Sequence, residues 1–288
     1  MAKKIIALLV ITALSVYVFF YAVGCARDDL AESLADYAYT GDISREVPVL
    51  MYHKVNPDPF VGGYGLRVTP RSFDRQLRFL KKKGFHSISL VDLAEYFKRG
   101  RPLPKKPVVI TFDDGYLDNY TYAFPILKKY GMTATVFVVA DTIGGINDFD
   151  YRAGRQPLNH MAGWKELREM SSGGITIGSH TLSHPHLAEV DPDRARKEIA
   201  RSKIKLEKGL GKKVDVFCYP YGNYNQRVVD MVRESGYLAA VTTKQGLARE
   251  SDGIYTLRRI RVRGDYTQGR FIYELSKWQR TGKPSKAI

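Results

Sequence analysis

Short apolar runs alternate with longer amphipathic segments along most of the chain. The runs at 47–52, 108–112, 134–139, 175–178, 214–217, 238–241 and 254–260 are rich in β-branched and aromatic residues and read as buried strands. Between them, 70–83, 90–99, 124–131, 164–170, 192–209 and 226–236 read as helices, and 269–278 as a closing helix. In the first helix Phe73, Leu77 and Leu80 share one face, and Gly84 stops the pattern. Strand and helix taking turns predicts an α/β fold with parallel strands rather than a sandwich. Segments 56–69, with Gly62, Gly63 and Gly65, and 142–163, rich in Gly, Asn and Asp, read as loops.

Polar residues able to do chemistry recur just after the strands: His53, Asp113 with Asp114, Asp141, His180 and Tyr221. In a ring of parallel strands these ends open on one face, where barrels of that kind carry their active sites. An open doubly wound sheet is the alternative. It usually brings a Gly-rich phosphate loop, and this sequence has none.

The N-terminus changes the picture of compartment. Lys3 and Lys4 precede an uncharged run at 5–24, 20 residues, which at about 1.5 Å per residue spans a bilayer core of roughly 30 Å. We therefore expect a signal peptide or membrane anchor over 1–25, a linker over 26–46 and one catalytic domain over 47–288. Ala22-Val23-Gly24-Cys25 resembles a bacterial lipoprotein processing site, with Cys25 as the acylated residue and Ala22 where Leu is commoner. Lysines before the run stay cytoplasmic, which leaves the body outside. Only Cys25 and Cys218 are present, so no disulfide framework exists. A formal net charge of +15 suits an anionic bacterial envelope or membrane surface. No zinc-finger, helix-turn-helix or RNA-binding signature is present, so nucleic acid is not an expected partner. A monomer is expected.

Two constellations carry the candidate chemistry. Asp113 and Asp114 follow the run Val108-Val109-Ile110, and adjacent carboxylates repel unless a cation or proton sits between them. His180-Thr181-Leu182-Ser183-His184 sets two imidazoles four residues apart, which a helix or a tight loop can bring together. Standing alone, that spacing fits surface or capping histidines equally well. With Asp114 it makes a two-histidine, one-carboxylate set suited to zinc, with cobalt or nickel as alternatives. His186 is assigned to the surroundings of the site.

Thr111-Phe112-Asp113-Asp114, His180-Thr181-Leu182-Ser183-His184 and Phe217-Cys218-Tyr219-Pro220-Tyr221-Gly222 resemble the first three motifs of the polysaccharide deacetylases of carbohydrate esterase family 4, the NodB-homology domain. The likeness extends over about 47–260. Pro48-Val49-Leu50-Met51-Tyr52-His53 is similar to the branch that de-N-acetylates poly-β-1,6-N-acetylglucosamine, a biofilm exopolysaccharide. The resemblance implies a distorted (β/α)7 barrel and a divalent metal on Asp114, His180 and His184. It also implies Asp113 as general base, His53 as general acid and the Tyr221 amide as oxyanion donor.

The chain departs from the pattern where Cys218 replaces the Arg that orients the base in many members. Trp164 and Asp141 are the candidates for the fourth motif, although Trp164 also fits an ordinary core aromatic. Arg258 and Arg259 stand on the last strand, where they reach the base or the sugar, or else are solvated like most basic residues of this chain. The expected activity is metal-dependent hydrolysis of N-acetyl groups on an N-acetylglucosamine polymer at the cell surface. A peptidoglycan deacetylase and an inactive glycan-binding module are the alternatives.

Overall fold

The computed structural model describes residues 46–281. The expected leader at 1–25 and linker at 26–46 lie outside them, except Glu46, which pairs with Arg249 beside the antiparallel contact of Glu46–Val47 with Ala248–Arg249. Among the described residues no helix is long and apolar enough to cross a membrane.

Seven parallel strands form the centre of the larger compact unit, which ends at Asp265. They are β1 (Val49–Tyr52), β2 (Pro107–Phe112), β3 (Thr135–Val138), β4 (Thr176–Ser179), β5 (Val216–Cys218), β6 (Ala239–Gln245) and β7 (Leu257–Arg261). Each pairs with the next, and β1 pairs with both β2 and β7, so the sheet closes on itself. The fold is the distorted (β/α)7 barrel. A short strand, His86–Ile88, adds to the first half of β2.

All six residues of β2 are buried, as a strand covered on both faces requires. Truncating Ile110 there to alanine would cost about 2–5 kcal/mol. Gly178 in β4 lets the sheet close tightly, because a Cβ at that position would lie 2.5 Å from the Phe137 ring.

The helices are α1 (Pro70–Lys82), α2 (Leu90–Arg99), α3 (Phe124–Tyr130), α4 (Asp148–Tyr151), α5 (Trp164–Ser172), α6 (Pro192–Leu210) and α7 (Gln226–Glu234). Their ends carry chemical signals. Thr69 caps α1 ahead of Pro70, Ser89 and Asp92 form a capping box on α2, and Asp191 caps α6 ahead of Pro192. The helix α8 (Gln268–Thr281) belongs to a second compact unit, and within it Arg270 and Lys277 both pair with Glu274.

Two loops at the strand exits are held by internal bonds. Lys54–Val55 pairs with Arg67–Val68, which anchors both ends of the 56–66 loop. Residues 142–163, expected as one open loop, contain α4 and two bridges, Tyr116 with Met161 and Ile146 with His160. The Asn147 side chain bonds Asn159 N and Pro157 O and closes that segment on itself.

Candidate active site

The C-terminal ends of the strands surround a pocket of about 260 Å³ bordered by His53, Asp113, Asp114, His180, His184 and Tyr221. The structure therefore gathers the catalytic and ligand candidates of the three motifs and His53 in one place. Of five non-glycine residues with positive φ among those described, four lie here: Asp114 (74°), Thr181 (69°), His184 (63°) and Tyr221 (57°). Each such conformation costs roughly 1–3 kcal/mol, and that concentration of strain marks a place where side-chain aim outweighs stability.

The two carboxylates face different partners because of this backbone. Asp113 still extends the β1–β2 ladder, donating its N–H to Tyr52 O at 3.0 Å. Asp114 then turns into the left-handed region, and its Oδ1 lies 3.5 Å from Nε2 of both His180 and His184. The two imidazole nitrogens are 3.1 Å apart. A metal bonded to two imidazoles at about 2.0–2.1 Å in tetrahedral geometry separates them by roughly 3.3 Å, so the triangle fits a divalent ion.

The support around the triangle is as specific. His180 donates Nδ1–H to Cys218 O at 2.7 Å, which turns its Nε2 toward Asp114 and His184. The histidines sit on a tight loop, not a helix. Glu198 of α6, almost fully buried, accepts from Leu182 N, Ser183 N and Ser183 Oγ at 2.9, 2.8 and 2.6 Å and holds that loop. Sequence reasoning missed Glu198, which reads as one polar residue of an amphipathic helix.

Asp113 is locked by Arg259. The guanidinium is fully buried and meets the carboxylate with two bonds, Nη1 to Oδ1 at 2.6 Å and Nη2 to Oδ2 at 2.7 Å. Its remaining donors go to Thr111 Oγ1, Thr242 O and Cys218 Sγ, so five acceptors meet its five N–H groups. The Thr242 carbonyl that accepts from Arg259 Nε lies within the register shift between Val241 and Gln245. Arg259 thus stands in for the missing motif-three Arg; of the two roles expected of it, reaching the base and standing in solvent, the structure shows the first. Arg258, by contrast, pairs with Asp252 away from the pocket. A second group of ligand-type atoms, Asp113, His180 and Cys218, also lies close together. Arg259 contacts two of its three members and would repel a cation there.

Charge follows from this packing. Burial works to raise the Asp113 carboxyl, but Arg259 outweighs it and holds the group below the usual carboxylate range. Burial likewise opposes the ionised Asp114, and the His180 hydrogen bond with the imidazoles of His53, His184 and His180 holds it well below. Burial and the adjacent His180 push His184 down to about 3. His53 is lowered by burial, with Asp113 opposing, and its Nε2 lies 3.9 Å from Asp113 Oδ2.

Tyr221 sits in a turn closed by Gly222 N to Tyr219 O and Asn223 N to Pro220 O, so its own amide is not used to close it. Its hydroxyl donates to Asp150 Oδ1 and accepts from Arg155 Nη2, and His186 stacks on its ring at 4.1 Å. Asp141 and Trp164 are not brought into the pocket. Asp141 lies on a 3-10 turn, half exposed, and pairs with Lys205. Trp164 opens α5 and, partly buried, packs its ring over Gly209 of α6.

A family model described as polysaccharide deacetylase matches residues 100–240. The Bacillus subtilis protein YxkH, a polysaccharide deacetylase by name, is 33% identical over 217 residues, 75% of this chain and 71% of that one. The poly-β-1,6-N-acetyl-D-glucosamine N-deacetylase of Staphylococcus aureus is 25% identical over 249 residues, 80% of this chain and 81% of that one. The solved structure of IcaB from Ammonifex degensii superposes with a TM-score of 0.69 at 26% identity, covering 82% of this chain and 98% of that one. With its closed seven-stranded barrel and clustered motifs, the chain belongs to the polysaccharide deacetylase family and is a hydrolase.

Proposed function

We propose that the enzyme removes N-acetyl groups from poly-β-1,6-N-acetylglucosamine at the outer face of a bacterial membrane. One divalent ion, zinc first among the candidates, is held by Asp114, His180 and His184. The observation that carries this reading is the division between adjacent carboxylates: Asp114 completes the ligand triangle while Asp113, fixed by Arg259, stays beside it.

An ion bound there supplies Lewis acidity to the reacting carbonyl. Asp113, kept ionised by Arg259, accepts a proton from the water that adds to the acetamide carbon. The Tyr221 amide donates to the oxygen that gains charge. His53 then protonates the departing amine as the C–N bond breaks, giving acetate and a free amino sugar. Burial keeps His53 neutral at rest, so the proton it delivers is acquired during turnover. Asp113, 3.9 Å away, is the neighbour that has just gained one.

The choice of polymer rests on the placement of His53 before the aspartate motif and on the name of the Staphylococcus aureus relative. The cell-surface assignment rests on the uncharged run at 5–24, outside the described residues, and on the charge of +15. Acetate release from β-1,6-linked N-acetylglucosamine oligomers, compared with peptidoglycan fragments, tests the reading. Preference for the β-1,6 oligomers is expected. Faster release from peptidoglycan fragments overturns the polymer assignment and favours a peptidoglycan deacetylase.

A further inference from the structure

A second cleft, of about 250 Å³, opens beside the catalytic pocket. The same two loops build both cavities. Residues Asn56 and Val61 line the cleft where Leu66 of that loop lines the pocket, and Leu158 to His160 line the cleft where Asp150 lines the pocket. Lys54 lies between these loops, with Nζ donating to Val61 O at 2.6 Å and Gln156 Oε1 at 3.3 Å.

The third wall is a π-helical turn, Asn119–Ala123, closed by Phe124 N to Asn119 O. Such turns are uncommon and recur at functional sites, because the extra residue re-aims the side chains around it. Here the turn contributes Thr121 and Tyr122 to the cleft. Its Asn119 donates Nδ2–H to His53 O at 2.8 Å, which ties this wall to the candidate general acid.

The lining has a definite chemical character. Val61, Leu117, Tyr122 and Leu158 are apolar or aromatic, and Leu158 remains 43% exposed at the surface. Asn56, Asn159, His160 and the nearly buried carboxylate of Asp118 stand among them. Burial pushes Asp118 up to about 6 against the bonds from Asn56, Val55 and Asn119 that hold it in place. A pyranose has an apolar C–H face and a rim of hydroxyl and amide groups, and this mixture of surfaces matches it. A phosphate would need cations, and no Lys or Arg lines the cleft.

We propose that the cleft is a second saccharide-binding subsite, which holds another N-acetylglucosamine residue of the polymer whose acetyl group is being removed in the pocket. The proposal rests on the polymer deacetylase reading above. Two points of attachment on one chain raise the effective concentration at each, so long oligomers bind more tightly than short ones.

The test uses metal-loaded Asp113→Asn protein, which leaves substrate intact, and calorimetric titration with β-1,6-linked N-acetylglucosamine dimer and hexamer. Tyr122→Ala and Leu158→Ala are each added to this background, and thermal unfolding checks that both variants fold. Leu158 is exposed enough that its truncation spares the core. The hexamer is expected to bind more tightly than the dimer, and each variant to weaken the hexamer about tenfold, roughly 1.4 kcal/mol, with the dimer changed less than twofold. A hexamer no tighter than the dimer, equal losses for both ligands, or hexamer affinity within twofold of the parent in both variants overturns the subsite. Acetate release by the unsubstituted enzyme from the same hexamer is measured separately. Its absence would sink the proposed activity, whereas release with unaltered binding in the variants sinks only the subsite.

Discussion

Replacing Arg259 with Met tests what holds the candidate base. Both partners are buried, at 0% and 4% side-chain exposure, and joined by bonds of 2.6 and 2.7 Å. Removing one member of such a pair leaves an uncompensated buried charge, a loss of about 3–5 kcal/mol. The pH dependence should also reverse. In the parent, Asp113 has a depressed pKa, so its contribution to stability is present above the unfolded carboxylate pKa and is lost as pH falls through the folded value. Without Arg259, burial is opposed only by the nearby imidazoles, and the folded pKa rises above the unfolded one. Arg259→Met should then be least stable at neutral pH and gain stability as pH falls through the raised pKa. The acid limb of kcat should move upward by the same cause. Urea unfolding at several pH values reads the first effect, and acetate release against pH reads the second. The double variant Asp113→Asn/Arg259→Met should recover much of the lost stability, since it removes both charges. A single variant as stable as the parent with an unmoved acid limb would refute the argument.

Three further perturbations have defined outcomes. Asp113→Asn should retain one bound metal while kcat falls at least a hundredfold, and near-normal turnover would remove Asp113 from the base role. His53→Ala should fold normally and lose kcat about a hundredfold or more on acetamide substrates, but far less on an acetate ester whose leaving group departs without a proton; equal losses on both would contradict the acid assignment. Glu198→Ala leaves two loop amides and a hydroxyl without their acceptor, so metal affinity should fall about 10–100-fold, read by competition with a chelating dye.

The sequence made the barrel legible because its strands are buried on both faces and read as apolar runs, while caps such as Ser89 and Asp191 mark where helices begin. Asp113, Asp114, His180 and His184 were legible because each lies in a short motif just past a strand. Arg259 was only a weak candidate, since it meets Asp113 across 146 positions and stands among 45 basic residues. Nothing local distinguishes it from a solvated arginine; its burial exists only once β7 closes against β1. Asp141 shows the converse. It follows a strand like the true site residues, but the 3-10 turn that carries it hands its side chain to Lys205. The π turn at Asn119–Ala123 had no sequence signal that apolar periodicity could register.

Acetate release from a β-1,6-linked N-acetylglucosamine oligomer, measured on chelator-treated protein while one divalent metal is titrated back, tests the central claim most directly. The account predicts no release from the stripped protein and recovery that saturates at one ion per chain. It also predicts that Asp114→Ala and His180→Ala neither bind that ion nor recover. Full activity in the stripped protein, or metal-restored activity in either variant, would contradict it.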